Sequence, residues 1–451
     1  MSTDRRTSEQ IVLNEDTHHA ELPIPNKLTS PRRIYLNTIG LTLDPFATPV
    51  AEQELAFSSY SLLRPEKLDE ETGHFTSSAF FDYFTSPPIS RSQKYSLLTI
   101  LHQPTPAFVY GTPGSGKTTL RLTLEAESRR TSDGTLIVSY ILGDDLVGPI
   151  TANKHWERLS QALAIDLFIQ IVEQFSPLNS PPTAKQTDSL RSQLNIGGPA
   201  LQRLANRVLY EPHIDPLLGL GQLWPAVGRS AVRYTARPKE LQEIIRQALT
   251  YQGIAPQYPS LTGQATFTEG IHTAKQWGFN KIFILIDGVD MRERTIASMW
   301  NLLTPLVQIL SEWQVHSIFG KFFIPLELHK QVESYLTHSG SDLHIKPFEF
   351  IIKWNEVSLR ALVAARFRAA HSRRVGFDDL ASPDLAGKLD KLILRAAHGS
   401  PRKLLSTIST LLNVHAARDP YDPTITFDDW ERARTYLNNL SHDSSIKVTR
   451  S

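Results

Sequence analysis

Eight consecutive residues, Gly111-Thr-Pro-Gly-Ser-Gly116-Lys117-Thr118, set three glycines ahead of a lysine and a hydroxyl in the spacing G-x-x-x-x-G-K-[ST]. Glycines so placed let successive backbone N–H groups turn inward around phosphate oxygens, and a helix beginning near the lysine adds its positive end. In such a P-loop the lysine ammonium reaches the β and γ phosphates, and the threonine hydroxyl ligates magnesium. The expected ligand is therefore ATP or ADP with Mg2+. The expected contacts are Gly111, Thr112, Pro113, Gly114, Ser115, Gly116, Lys117, Thr118 and Thr119, with Thr118 on the metal. At average residue frequencies the pattern arises by accident in roughly one or two chains per hundred of this length. Here it follows an apolar run, Ala107–Tyr110, and opens a helical stretch, which is the context the chemistry requires.

Two carboxylates form a second constellation in Phe283-Ile-Leu-Ile-Asp287-Gly-Val-Asp290. A buried strand that ends in a carboxylate at the C-terminal edge of a parallel sheet points that charge at the P-loop metal. Asp287 is accordingly expected to coordinate magnesium. Asp290 either orients or deprotonates an attacking water, with Lys117 as its catalytic companion on the phosphate, or merely caps the turn. A third candidate is Arg402 in Gly399-Ser400-Pro401-Arg402. Ser400 suits a helix N-cap and Pro401 the first helical position. Arg402 then falls in the first turn, where the helix dipole disfavours a cation. A γ-phosphate facing it would relieve the misfit; a solvated arginine is the plain alternative.

These residues need a scaffold, and the hydrophobic pattern supplies one. Strands are expected at Ala107–Tyr110, Thr135–Leu142, Lys281–Asp287, Ile318–Ile324 and near Leu343–Ile351, alternating with helical stretches. The continuously apolar 282–286 run fits a strand covered on both faces. That alternation predicts an α/β fold with a doubly wound, mostly parallel sheet. From Trp354 onward only helices are expected, the first capped by Asn355. The divisions that follow are a flexible arm at 1–34, an N-terminal segment at 35–104, a core at 105–352, a helical unit at 353–440 and a tail at 441–451. Residues 176–236, rich in proline and glycine, read as an insertion without sustained periodicity.

Composition narrows the class. The apolar share (41%) and charged share (21%) are ordinary for a globular chain. Lys and Arg total 47 against 46 Asp and Glu, a net charge of +1, so nothing in the balance indicates nucleic acid. The absence of cysteine excludes disulfides, thiol nucleophiles and cysteine-bound metals. No signal peptide and no apolar run of membrane length is evident, so a cytoplasmic protein with no membrane partner is expected. The 15 histidines show no H-x-x-x-H pair beside carboxylates, and no G-x-S-x-G occurs.

Together the three motifs resemble the additional-strand ATPases of the AAA+ and STAND type. Asp287-Gly-Val-Asp290 is similar to the Walker B string of STAND and NACHT ATPases. Gly399–Arg402 with Lys403-Leu-Leu is similar to the sensor-2 helix of initiator-type AAA+ proteins. Gly40-Leu-Thr-Leu-Asp-Pro45-Phe46 resembles an N-terminal segment that packs near the adenine in several bacterial ATPases. The resemblance implies a P-loop NTPase sheet with a C-terminal helical lid, residues 35–104 packed on the nucleotide site, and Arg402 as a γ-phosphate contact. It departs from the pattern at Met291, where STAND proteins carry Glu, in the lack of arginine between Lys321 and Ile352, and in the missing polar residue ending Phe319–Pro325. These departures point away from fast ring-driven hydrolysis and toward a slow ATP-dependent switch in bacterial signalling or defence, acting on a protein partner or by self-association. A DNA-associated initiator- or transposition-regulator-like ATPase and a non-hydrolysing ATP-binding scaffold are the alternatives.

Overall fold

The computed structural model describes residues 30–41, 44–47, 85–87, 96–131, 133–143, 150–174, 183–210, 239–250, 263–291, 294–339, 345–370 and 372–448. Five strands form one sheet: β1 (Ala107–Gly111), β2 (Thr135–Ile141), β3 (Lys281–Asp287), β4 (Ile318–Pro325) and β5 (Phe348–Ile351). Their spatial order is β2-β3-β4-β1-β5, and every pairing is parallel. The chain is therefore α/β with an all-parallel sheet, and β4 lies between the strand that leads into the glycine loop and the strand that ends in Asp287.

Helices cover both faces because alternate strand residues are apolar on each side. On one face, α1 (Pro31–Thr38) takes no part, but α2 (Leu97–Leu101) and α3 (Lys117–Thr131) pack Leu97, Leu101, Leu120 and Leu124 against Val109, Phe283, Leu285 and Phe323. On the other, α4 (Ala152–Gln174) leads with Trp156, Leu159, Leu163 and Leu167 against Leu136, Val138 and Ile284. The same layer holds α5 (Ala184–Ile196), α6 (Gly198–Tyr210), α7 (Lys239–Thr250), α8 (Gly263–Gln276), α9 (Ile296–Gln308) and α10 (Leu310–Val315). After β4 a short 3-10 turn runs into α11 (His329–Ser339).

Beyond β5 the described residues form the helices α12 (Glu356–Ala369), α13 (Leu389–Ala397), α14 (Pro401–Arg418) and α15 (Phe427–Val448), with one isolated bridge between Ala381 and Ile425. Asn355 caps α12, its side chain accepting from Ser358 N–H while Ser358 bonds back to Asn355, a complete capping box. These helices share a core of their own, built on Leu359, Phe367, Ile393, Leu404, Ile408, Leu411 and Trp430. Among the described residues no helix is long and apolar enough to cross a membrane.

Four expected boundaries shift. Residues 31–34, expected in the arm, belong to α1, capped by Ser30 with Pro31 in the first turn; residues 1–29 lie outside the described residues. Tyr35, Leu36, Ile39, Leu41 and Phe46 enter the core of the C-terminal helices, not the sheet, and Arg366 and Arg374 donate to the carbonyls of Pro45 and Ile39. Among the described residues the 35–104 segment is thus split: its first part joins the helical unit and α2 packs on the sheet. The 176–236 insertion contains α5 and α6, because its prolines and glycines punctuate helices instead of breaking them. Thr183 makes a capping box with Gln186, Gly197 is the C-cap of α5, and Pro199 falls in the first turn of α6. Residues 211–236 lie outside the described residues. The tail expected at 441–451 is helical through Val448, as part of α15.

Candidate functional site

The loop after β1 is held from two directions. Gly114 has φ +78°, a left-handed conformation, and its carbonyl accepts from Arg402 N–H at 3.3 Å. A Cβ at Gly114 would come within 2.8 Å of the Arg402 Cβ and 3.0 Å of the Ser400 Oγ, so only glycine permits this approach. The Ser115 carbonyl accepts from the Trp354 indole Nε1 at 2.8 Å. The first turn of α14 and Trp354, two residues before α12, therefore both grip the loop. Ser400 accepts from Lys403 N–H, as an N-cap should, and Arg402 itself is exposed.

Lys117, the first residue of α3, is buried, and its ammonium donates to the Gly111 carbonyl at 2.9 Å and the Thr112 carbonyl at 3.4 Å. Its third neighbour is Asp290 Oδ2 at 3.3 Å. The loop thus brings the expected lysine and one expected carboxylate face to face. Thr118 and Thr119 are half-buried at the start of α3, Thr112 and Pro113 are exposed, and the buried Ser115 hydroxyl has no hydrogen-bond partner. An orphaned buried hydroxyl in a glycine loop, beside a buried ammonium, fits an anion with several acceptor oxygens.

Asp287 ends β3 in the expected place, yet its carboxylate is already engaged. Oδ2 accepts from Arg121 Nε at 2.9 Å, and Oδ1 accepts from Gly288 N–H at 2.8 Å. Its hydrogen-bond partners are thus Arg121 and Gly288, not Thr118. Gly288 takes φ +80° to start the turn toward Asp290, and Arg294 locks that turn. The Arg294 guanidinium donates to the carbonyls of Leu142, Gly143, Gly288 and Val289, tying the end of β2 to the end of β3.

Arg121, Arg294 and the Trp354 indole are functional candidates that motif spacing does not disclose. A signal existed for Arg121: it is a charge set among Leu120, Leu122 and Leu124, which are apolar on more than one side of the helix and all buried. Arg294 and Trp354 act on carbonyls, which no side-chain pattern records. Glu293, beside Arg294, lies outside the described residues.

Just before the loop, the Tyr110 hydroxyl donates to Glu349 Oε2 at 3.2 Å, with the His329 ring edge-on to it at 4.7 Å. Burial, reinforced by the Glu349 carboxylate, raises the phenol far above its ordinary range and keeps it protonated. At the opposite end of the sheet, Lys321 on β4 is fully buried, donating to the carbonyls of Gln103 and Thr105 at 2.7 and 2.6 Å and lying 4.7 Å from the Phe283 ring centre. Burial pushes its ammonium down to about 7.

No family model matches the chain, and no curated protein is significantly similar to it.

Proposed function

We propose that this chain binds ATP at Gly111–Thr118 and acts as a nucleotide-controlled switch of the P-loop type, its C-terminal helices serving as a lid. The observation that carries this reading is the junction at Gly114 and Ser115: residues expected to cradle phosphate are gripped by Arg402 and Trp354 of the helical unit. Any anion that reshapes the loop changes those two contacts, so ligand binding couples to lid position by differential affinity. The interposition of β4 between β1 and β3 is in keeping with the additional-strand class.

In this reading the loop amides and Lys117 take the phosphates, and the lysine exchanges Asp290 for the ligand. Asp290, freed from the ammonium, is then placed beside the terminal phosphate to position water. Arg402, at the edge of the loop, reads the γ-phosphate. Magnesium would accompany the phosphates, with the Thr118 hydroxyl as a protein ligand.

A second reading, binding without turnover, has its own support. Asp287 is committed to Arg121 and Asp290 to Lys117, so neither carboxylate is free in this conformation. Single-turnover hydrolysis assays separate the two: measurable phosphate release that disappears in Lys117→Ala supports the switch, and tight binding with no release supports the scaffold.

A further inference from the structure

Arg121 lies one turn after Lys117 on α3, and none of its surface reaches solvent. Its Nε donates to Asp287, and its Nη1 lies 3.3 Å from Glu125 Oε2. The pairing then continues inward. Glu125 Oε1 meets Arg129 Nη2 at 3.1 Å, and the same nitrogen meets Asp166 Oδ1 at 2.8 Å. Ser139 on β2 ties the series together, its hydroxyl donating to Glu125 and its N–H to Asp166. All five charged side chains are buried and their signs alternate: Asp287 negative, Arg121 positive, Glu125 negative, Arg129 positive, Asp166 negative.

A buried carboxylate must find a cation, either a metal or a guanidinium. Magnesium is bound through one or two carboxylates whose charge it neutralises, in near-ideal octahedral geometry. Asp287 already has its charge neutralised on one oxygen and a backbone donor on the other. A dication approaching this carboxylate also meets the positive charge of Arg121, in surroundings where screening is weak. The donor set therefore does not fit a carboxylate-ligated magnesium at Asp287.

We propose that Arg121 is the resident cation of Asp287, and that Asp287 is a positioning residue for the Gly288–Asp290 turn instead of a metal ligand. The proposal rests on the nucleotide reading of the loop and deepens it: a divalent ion enters only with the nucleotide, held by its phosphates and by Thr118. The Glu125–Arg129–Asp166 series keeps Arg121 in place from behind, so the pair is part of the fold and not a transient contact.

The test compares ATP affinity in Mg2+ with ATP affinity in EDTA, by calorimetry, for the full chain and for Asp287→Asn. The ratio of the two affinities is expected to agree within about twofold between the proteins, since no metal bond is lost. A ratio that collapses in Asp287→Asn overturns the proposal. A parallel Mn2+ titration of the full chain without nucleotide, followed by electron paramagnetic resonance, needs no variant to fold. No bound Mn2+ at about 1 mM is expected; a saturable site there also overturns it. If ATP binds in neither buffer, the nucleotide reading falls and the Mn2+ titration still decides the role of Asp287.

Discussion

The backbone N–H of Arg402 meets the carbonyl of Gly114 at 3.3 Å, and a methyl group on Gly114 would stand 2.8 Å from the Arg402 Cβ. The loop and the first turn of α14 are thus fitted to each other at a point where neither tolerates added bulk. Gly114→Ala adds that bulk and also places a side chain at φ +78°, which costs about 1–2 kcal/mol on its own. The expected result is a loss of at least about tenfold in ATP affinity. The double variant Gly114→Ala/Arg402→Gly should lose less than the sum of the two single changes, because the steric part is relieved. Strict additivity in titration calorimetry would show that the close approach has no energetic consequence.

Arg402→Ala tests whether the exposed guanidinium reads the terminal phosphate. One charge-assisted hydrogen bond at a partly desolvated site is worth roughly 1.5–3 kcal/mol. ATP affinity should fall about 10- to 100-fold, while ADP affinity hardly changes. Equal losses for both nucleotides would make Arg402 a structural contact of the lid. Hydrogen exchange of α14 with each nucleotide gives the conformational counterpart: protection with ATP, and little with ADP.

Asp290 sits on the lysine that the phosphates need. Asp290→Asn removes a competing charge, so ATP should bind about two- to fivefold more tightly, in line with the modest worth of a partly exposed pair. Turnover should drop by about 100-fold if the carboxylate positions water. Tighter binding with unchanged turnover would leave Asp290 as the lysine's placeholder alone.

Much of the site was legible because its parts repeat a physical requirement at fixed spacing. Glycines before Lys117, an aspartate closing an apolar strand, and Ser400-Pro401 before Arg402 each follow from local rules, and the structure brings Lys117 to Asp290 and Gly114 to Arg402. What escaped depends on tertiary partners. Nothing local says that Arg121 meets Asp287, or that Arg294 and the Trp354 indole end on backbone carbonyls. The helices at Ala184–Ile196 and Gly198–Tyr210 were hidden for a different reason: their cap residues, Thr183, Gly197, Gly198 and Pro199, resemble loop composition when read without the helices they bound. The attachment of Tyr35 and Phe46 to the C-terminal helices is a contact between distant parts of the chain, with Phe46 edge-on to Phe367 at 5.3 Å.

Lys321 gives the fold a pH signature of its own. The ammonium is pushed from an ordinary 10.5 down to about 7 by burial. Between those values the unfolded chain holds the proton and the folded chain does not, so this residue makes stability rise with pH across that window. Urea midpoints measured at pH 7 and pH 9.5 should therefore diverge more in the wild type than in Lys321→Met. Parallel shifts in the two proteins would mean that the carbonyls of Gln103 and Thr105 keep the lysine charged in the fold.

The central claim, that Gly111–Thr118 holds the phosphates of ATP, is tested most directly by calorimetric titration of ATP into the full chain and into Lys117→Ala, with thermal melts of both. The buried ammonium is the one full positive charge that the loop contributes. The expected result is saturable binding to the wild type, none to Lys117→Ala, and melting curves showing that both chains are folded. Equal ATP affinity in the two folded proteins would contradict the claim.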